Sequence, residues 1–325
     1  MKKKVIVCGF GFMGQTHTSN ILNIPELELA AIVNPVEKSE LAPVAGNQDT
    51  GSLNWEMLQD IPYYLTLEEA FKSCDFDAAV ICSPTVAHAS AAIECISHGK
   101  DVFLEKPLCT TSCEAEEILA ALKGKNTVFH VGHCVRYIPC YEYLTQLCMS
   151  GEYGRLKHLE LLRITGVPTW GVWKEKDTSL KSISGPVYDL NIHDVDFALH
   201  LLGEPEKVSA ERIDHSEKLY KSCWQYSSGT TVRILGGFNA QPSFPFRAGF
   251  TAFFENAVLE FSSLTRKTVL SAGEESREIR FGSDNVYRTE LEIFTAAING
   301  RDARGCTPEE AAAAVRYCGI ISSLL

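Results

Sequence analysis

The sequence predicts a two-domain α/β protein: a doubly wound parallel sheet over residues 1–133, then an α+β domain over residues 134–325 with a large, mainly antiparallel open sheet. Three observations carry this reading. Up to about Gly132, short unbroken apolar runs alternate with helix-period segments, the pattern of strands buried on both faces of a parallel sheet. A glycine string follows the first of these runs directly. Beyond Gly132, long strand-like runs separated by short turns take over, which suits antiparallel pairing. A chain of 325 residues also favours two cores, because single cores stop growing near roughly 250–300 residues.

The elements follow in order. Residues 5–8 are apolar and too few for a helix, so they form the first strand, and a helix pattern runs over about 12–23. Residues 29–33 make the second strand and 63–65 a weaker one. Strands at 78–82 and 101–104 flank a helix over 86–97, with Gly99 where a helix C-cap belongs. A helix over 114–122 and a strand over 127–131 close a series whose alternation indicates the doubly wound arrangement. In the second domain a helix over 137–150 precedes strands at 157–164, 208–213, 218–226, 230–238, 247–255 and 257–261. Helices over 286–299 and 308–324 end the chain.

Composition narrows the function. Hydrophobic residues make up 45%, which excludes wholesale disorder and collagen-like fibres. Thirty basic against 41 acidic side chains give a formal charge of −11, which argues against nucleic acid as a partner. Local phosphate binding by backbone amides is untouched by that balance. The twelve cysteines show no CxxC pair and no regular spacing, so neither a disulfide framework nor a metal site is expected; Cys8 and Cys82 lie in apolar runs and read as small core residues. The basic Lys2, Lys3 and Lys4 precede an apolar stretch broken by Gly9, Gly11 and Gly14, unlike a signal peptide. No apolar run reaches the ~18 residues of a membrane span. A cytoplasmic protein without a membrane partner is expected.

Gly9-Phe10-Gly11-Phe12-Met13-Gly14 matches G-x-G-x-x-G after a strand and at the start of a helix. The first glycine permits a tight turn, the second lets a pyrophosphate approach the backbone, and the third allows close helix–strand packing. The helix N-terminus, beginning with Phe12 and Met13, supplies free N–H groups and a partial positive charge. An acidic residue about 20 positions on ordinarily takes the ribose 2′-hydroxyl of NAD. Asn34 stands there, able to bond the hydroxyl without repelling a 2′-phosphate, and Lys38 is a candidate partner for that phosphate. NAD is favoured and NADP stays open.

Four further segments complete the pattern. Ser83-Pro84-Thr85-Val86-Ala87-His88 follows the strand at 78–82. Gly99-Lys100-Asp101-Val102-Phe103-Leu104-Glu105-Lys106-Pro107 ends a later strand. Val131-Gly132 through Arg136-Tyr137 with Gly151-Glu152-Tyr153-Gly154-Arg155, and Gly185 through Asp196, come next. Together these resemble the T-P-N-x-x-H, G-K-x-V-x-x-E-K-P, domain-junction and G-G-x-x-x-D-x-G-x-H-x-x-D patterns of the glucose-fructose oxidoreductase / inositol dehydrogenase / rhizopine catabolism (Gfo/Idh/MocA) family. The resemblance implies cofactor contacts at Ser83, Pro84, His88, Glu105 and Lys106, and a cis or otherwise special loop around the Glu105–Pro107 turn. It implies catalysis by Lys106, Asp189 and His193.

The chemistry of those residues agrees with the resemblance. Lys106 falls just past a parallel strand's carboxyl end, where ligands of open α/β sheets collect, and an ammonium there can polarise a substrate oxygen. Asp189 and His193 are expected on one face of one helix. Removing hydride from a carbinol also removes the hydroxyl proton, a task suited to a neutral imidazole, whose free pKa is about 6.5. His130 and His133 form no complete ligand set and are expected to be structural. Ser184 replaces the first glycine of the last pattern and Asn191 replaces a later one, making Asn191 a candidate substrate contact. Arg136 and Arg163 are candidates for hydroxyl or carboxylate binding, and Trp170 and Trp173 for an apolar wall against a sugar ring. The expected function is NAD(P)-dependent hydride transfer with a sugar, polyol or related hydroxy compound. A redox-neutral glycoside-cleaving enzyme and a non-catalytic sugar-binding regulator of the same fold are the alternatives. An open sheet face needs cover, so a homodimer or homotetramer is expected.

Overall fold

Val5, Ile6 and Val7 have no exposed surface, and neither do Ala78, Ala79, Val80 and Ile81. Strands covered on both faces in this way belong at the centre of a parallel sheet. The computed structural model describes residues 1–44, 53–166, 185–213, 219–241, 243–282, 285–301 and 304–325. In it, β1 (Lys3–Cys8), β2 (Leu27–Val33), β3 (Tyr63–Tyr64), β4 (Ala78–Ile81), β5 (Asp101–Glu105) and β6 (Phe129–Gly132) form a six-stranded sheet of order β3-β2-β1-β4-β5-β6. Every pairing in it is parallel. The connecting helices are α1 (Phe12–Leu22), α2 (Leu67–Ser73), α3 (His88–Ser97) and α4 (Ser112–Leu122). α4 starts on a capping box in which Thr111 and Glu114 satisfy each other's backbone N–H. The strand order reverses direction between β1 and β4, the switch point at which such sheets open a ligand crevice.

The second sheet has eight strands. α5 (Pro139–Ser150), β7 (Leu156–Gly166), α6 (Pro186–Asp189) and α7 (Ile192–Leu202) precede β8 (Lys207–Arg212), β9 (Leu219–Gln225), β10 (Thr231–Ala240) and β11 (Arg247–Phe254). β12 (Ala257–Ser262), β13 (Lys267–Ala272) and β14 (Glu275–Ile279) complete the order β14-β13-β12-β11-β7-β10-β9-β8. Only the β7–β10 pairing is parallel. Side chains alternate across it: Leu159 and Leu161 on β7, Ile234 on β10 and Ala252 on β11 are buried on one face. Tyr141 of α5 meets that core edge-on, 4.8 Å from Phe197 of α7 and 4.9 Å from Phe250 of β11, centroid to centroid. The opposite face stays partly open, with a shallow cavity of about 320 Å³ lined by Leu162, Leu235, Thr251 and the charged Glu160, Arg233 and Glu260.

α8 (Val286–Ile298) and α9 (Pro308–Leu324) end the chain. The expected division at a single point near residue 133 differs from the packing. One unit comprises Met1–Cys134 together with Asn285–Ala312, and the other comprises Val135–Asp284 with Ala313–Leu325. The reason lies in α8, whose Leu291, Phe294 and Ile298 join the apolar cluster of Val5, Val7 and Phe103. Asn285 caps α8 by accepting from Arg288 N–H and donates to Asn20 of α1 at 3.0 Å. The Val131 N–H donates to the Cys306 carbonyl at 3.0 Å, tying the returning chain to β6.

Candidate active site

The glycine turn between β1 and α1 is shaped by what surrounds it. Gly9 has φ +89°, and a Cβ there would lie 2.6 Å from Ser83 N; a Cβ on Gly14 would lie 2.0 Å from Gly9 O. Neither position admits a side chain. Gly11 differs, because a Cβ on it would meet nothing within 4 Å. Gly11 N-caps α1 with no side-chain cap bond, and the first turn holds no acidic residue. Beside the turn, Ser83 Oγ is buried and has no hydrogen-bond partner among the described residues. Open space over a glycine, uncapped N–H groups at Phe12 and Met13 and a waiting hydroxyl fit the pyrophosphate of a dinucleotide.

Other expected cofactor contacts divide. Asn34, at the end of β2, accepts from Phe10 N–H at 3.1 Å and donates to the Tyr63 hydroxyl at 3.2 Å, pinning the turn to the second and third strands. Lys38 was expected to face a 2′-phosphate, but its ammonium donates to the carbonyls of Gln59 and Ile61, both at 3.0 Å. Pro84 is exposed and precedes a single 3₁₀ turn, Thr85–Ala87. His88, expected as a cofactor contact, is 1% exposed, with Nδ1 2.7 Å from Pro107 O and Nε2 2.8 Å from Ser83 O. Both ring nitrogens face backbone carbonyls, so His88 clasps the loops after β4 and β5 together. Burial lowers its pKa against the raising effect of those bonds.

Glu105 ends β5 and Lys106 follows it, half-buried, with a cis peptide to Pro107. Glu105, expected as a cofactor contact, is 7% exposed. Its Oε1 lies 2.7 Å from His17 Nε2, and its Oε2 accepts from Lys106 N–H at 3.1 Å. Burial alone would raise its pKa; the bond and charge of His17, with Lys106, outweigh that and hold it below the ordinary value. Glu290 of α8 stands 3.8 Å from the same His17 nitrogen. Burial, and then the charge of Glu105, pushes its carboxyl well above the ordinary range.

In the second unit, the expected single helix carrying Asp189 and His193 is broken. Pro186 opens α6, and Leu190 and Asn191 N–H groups both return to the Pro186 carbonyl at 3.2 and 2.9 Å. The N–H groups of Asp194 and Val195 donate to Asn191 O, each at 3.0 Å, so Asn191 ends one helix and starts the next. Asp189 closes α6 and His193 lies in the first turn of α7, both half-buried. Their charged neighbours go elsewhere. Arg163 donates to Asp194 at 2.9 and 3.1 Å, and Arg136 to Asp196 at 2.8 and 2.6 Å, with both aspartates fully buried. Arg136 and Arg163, expected as substrate contacts, thus stand in this structure as paired charges. Asn191, expected as a substrate contact, is also wholly buried, donating to Arg163 O at 3.3 Å and Asp194 Oδ2 at 3.2 Å. Trp170 and Trp173 lie outside the described residues.

Comparison with known proteins decides the family. Residues 3–133 match the oxidoreductase family with an NAD-binding Rossmann fold, and residues 141–258 match the GFO/IDH/MocA C-terminal domain. The chain belongs to the Gfo/Idh/MocA oxidoreductase family. An oxidoreductase of Bacillus subtilis, YrbE, is 26% identical over 91% of this chain and 78% of its own length. Inositol 2-dehydrogenase 2 of Saccharopolyspora erythraea is 25% identical over 94% of this chain and 88% of its own. The solved apo scyllo-inositol dehydrogenase of Lactobacillus casei shares the fold at a TM-score of 0.78, with 20% identity over 100% of this chain and 96% of that one.

This Gfo/Idh/MocA chain is accordingly an NAD-binding oxidoreductase whose glycine turn lies in the matched first segment. Two residues buried beside Glu105, His17 and Glu290, escaped sequence reading. One signal was available: Gln15, Thr16, His17, Thr18 and Asn20 are polar residues on the helix of a glycine string, and all are buried. Glu290 carries no comparable local mark.

Proposed function

We propose that this enzyme interconverts a hydroxyl and a carbonyl on a sugar, cyclitol or related polyol. His193 serves as acid/base, Lys106 polarises the reacting oxygen and Asp189 orients the substrate. A bound nicotinamide cofactor supplies the acceptor or donor of the hydride. A carbinol becomes a carbonyl only when its hydroxyl proton leaves with the hydride, and His193 takes that proton. The observation that carries the assignment is selective burial around α7. Asp194 and Asp196 are fully buried and paired, whereas Asp189 and His193 keep surface accessible to a substrate. The names of the inositol dehydrogenases among the relatives support a cyclitol or sugar ring.

The test is a panel of cyclitols, sugars and polyols with NAD⁺ and NADP⁺, followed by nicotinamide absorbance, on the parent and His193→Ala. The variant is expected to lose about 10²–10⁴-fold in turnover while binding cofactor normally. Glycoside cleavage without net cofactor reduction would replace this reading with redox-neutral chemistry, and ligand binding without any turnover would replace it with a regulator.

The protein acts as a homo-oligomer joined through the open face of the eight-stranded sheet. The edge strands support the face rather than the edge as the contact. β8 carries Lys207, Glu211 and Arg212 and β14 carries Glu275, Arg277 and Glu278, charges that discourage edge pairing. Light scattering on the parent and on Leu162→Glu tests it, with the variant expected to dissociate. A cytoplasmic location fits a chain in which no described helix is long and apolar enough to cross a membrane.

A further inference from the structure

His17 from α1, Glu105 from the end of β5 and Glu290 from α8 meet behind the Lys106 turn, exposed by 0%, 7% and 2%. The spatial order is a chain: Glu290 Oε1 to His17 Nε2 at 3.8 Å, His17 Nε2 to Glu105 Oε1 at 2.7 Å, Lys106 N–H to Glu105 Oε2 at 3.1 Å. Packing fixes the chain laterally. The His17 ring meets Phe103 edge-on at 5.2 Å and Tyr287 at 6.3 Å. A Cβ at Gly132 would press within 3.3 Å of Glu105 Oε1, so β6 leaves that carboxylate just enough room.

We infer that His17 and Glu290 are positioning residues: His17 locks the Glu105 carboxylate onto the main-chain N–H of Lys106, and Glu290 backs the His17 ring as a neutral acid. This rests on the reading of Lys106 as the polarising group. Neither Glu290 oxygen has a hydrogen-bond partner among the described residues, so no donor stabilises a carboxylate there. An ionised carboxylate in that position would be a buried charge beside a second one, at heavy cost. The titratable groups facing it are His17 from α1, Glu105 from β5 and Cys82 from the loop after β4. The one group among them able to carry a cation, His17, spends its Nε2 on Glu105 Oε1 at 2.7 Å and stands 3.8 Å from Glu290, beyond hydrogen-bond reach.

A metal ion is the competing explanation, since the three donor atoms lie within 4.8 Å of one another. The His17–Glu105 separation of 2.7 Å opposes it. Two donors bound at about 2.0–2.2 Å to one tetrahedral ion stand about 3.3 Å apart, whereas 2.7 Å is a charge-assisted hydrogen bond.

The first measurement is independent of turnover. The infrared difference spectrum between parent and Glu290→Gln at neutral pH is expected to show one protonated carboxylic acid band lost in the variant. The absence of that band overturns the neutral-acid assignment even if the enzyme proves active. Kinetics follow on a substrate that the parent oxidises. His17→Leu and Glu290→Leu are expected to lower kcat about 10- to 100-fold, the scale of a misplaced reacting group, with smaller changes in KM. His17→Gln, which keeps a donor for Glu105, and Glu290→Gln, which keeps the size and neutrality of the acid, are expected to restore most of it. Thermal melts exclude misfolding. Parent-like kcat in both leucine variants, or a stoichiometric zinc or manganese ion in the purified protein, overturns the inference. If the parent turns over nothing, the substrate reading fails and the infrared band still decides this one.

Discussion

Gly236 of β10 is glycine because Asn191 occupies the place of its side chain: a Cβ at 236 would lie 2.0 Å from Asn191 Oδ1 and 2.1 Å from Cγ and Nδ2. Asn191 cannot swing aside, since it is wholly buried and donates to Arg163 O and Asp194 Oδ2. Gly236→Ala is expected to destabilise the protein by about 1–3 kcal/mol through overpacking. Asn191→Gly in the same chain should recover part of the loss, so chemical denaturation of the four members of the cycle should show strong coupling. Additive effects would mean that the two residues do not share one space.

Arg163 and Arg136 give a second expectation. Removing one partner of a buried ion pair leaves the other uncompensated, at about 3–5 kcal/mol. Arg163→Ala should lower stability on that scale by urea titration. A variant of parental stability with a raised substrate KM would return this guanidinium to the substrate pocket.

Cofactor choice is the third. The Lys38 ammonium bonds two carbonyls, and Glu37 and Glu40 flank it in sequence, leaving no free cation in that turn for a 2′-phosphate. Charged hydrogen bonds contribute about 1.5–3 kcal/mol, so NAD⁺ should exceed NADP⁺ in kcat/KM by about 10- to 100-fold. Equal or reversed values would show that Lys38 leaves its carbonyls for the phosphate.

A pH dependence follows from Glu290. Its carboxyl titrates well above the ordinary 4.5 in the folded protein, by burial and the charge of Glu105, so the folded state holds the proton more tightly than the unfolded chain. Its contribution is fully favourable below about 4.5 and is lost as pH rises toward the folded value. Melting temperatures of parent and Glu290→Gln should therefore separate progressively above pH 4.5, with the glutamine variant gaining relative to the parent. Parallel curves would place the proton elsewhere.

The cofactor half was legible because its constraints are local. Gly9, Gly11 and Gly14 act on a turn of a few residues, and the strands at 78–82 and 101–104 are short apolar runs with one reading. The two helices that carry Asp189 and His193 were not legible, because the break between them depends on Pro186 O taking two donors. Arg136, Arg163 and His88 are residue types that bind ligands and also satisfy cores, and only their partners distinguish these uses. β14 lacks an alternating pattern, being Glu275-Ser276-Arg277-Glu278-Ile279 and mostly exposed, so periodicity gave it no sign. The helical pattern of 286–299 was plain, yet nothing in it says which core receives Leu291 and Phe294.

That return of the chain sets the order of biosynthesis. Domains fold as they leave the ribosome, N-terminus first. Here the nucleotide-binding unit cannot be completed in that way, since α8, which brings Leu291, Phe294, Ile298 and Glu290, emerges only after the whole second sheet. Until then the nascent first half waits with the places of these side chains unfilled. A fragment cut at residue 134 would be a half-finished product rather than a transferable cofactor module, and grafting experiments that treat it as a cassette should carry residues 285–312 along with it.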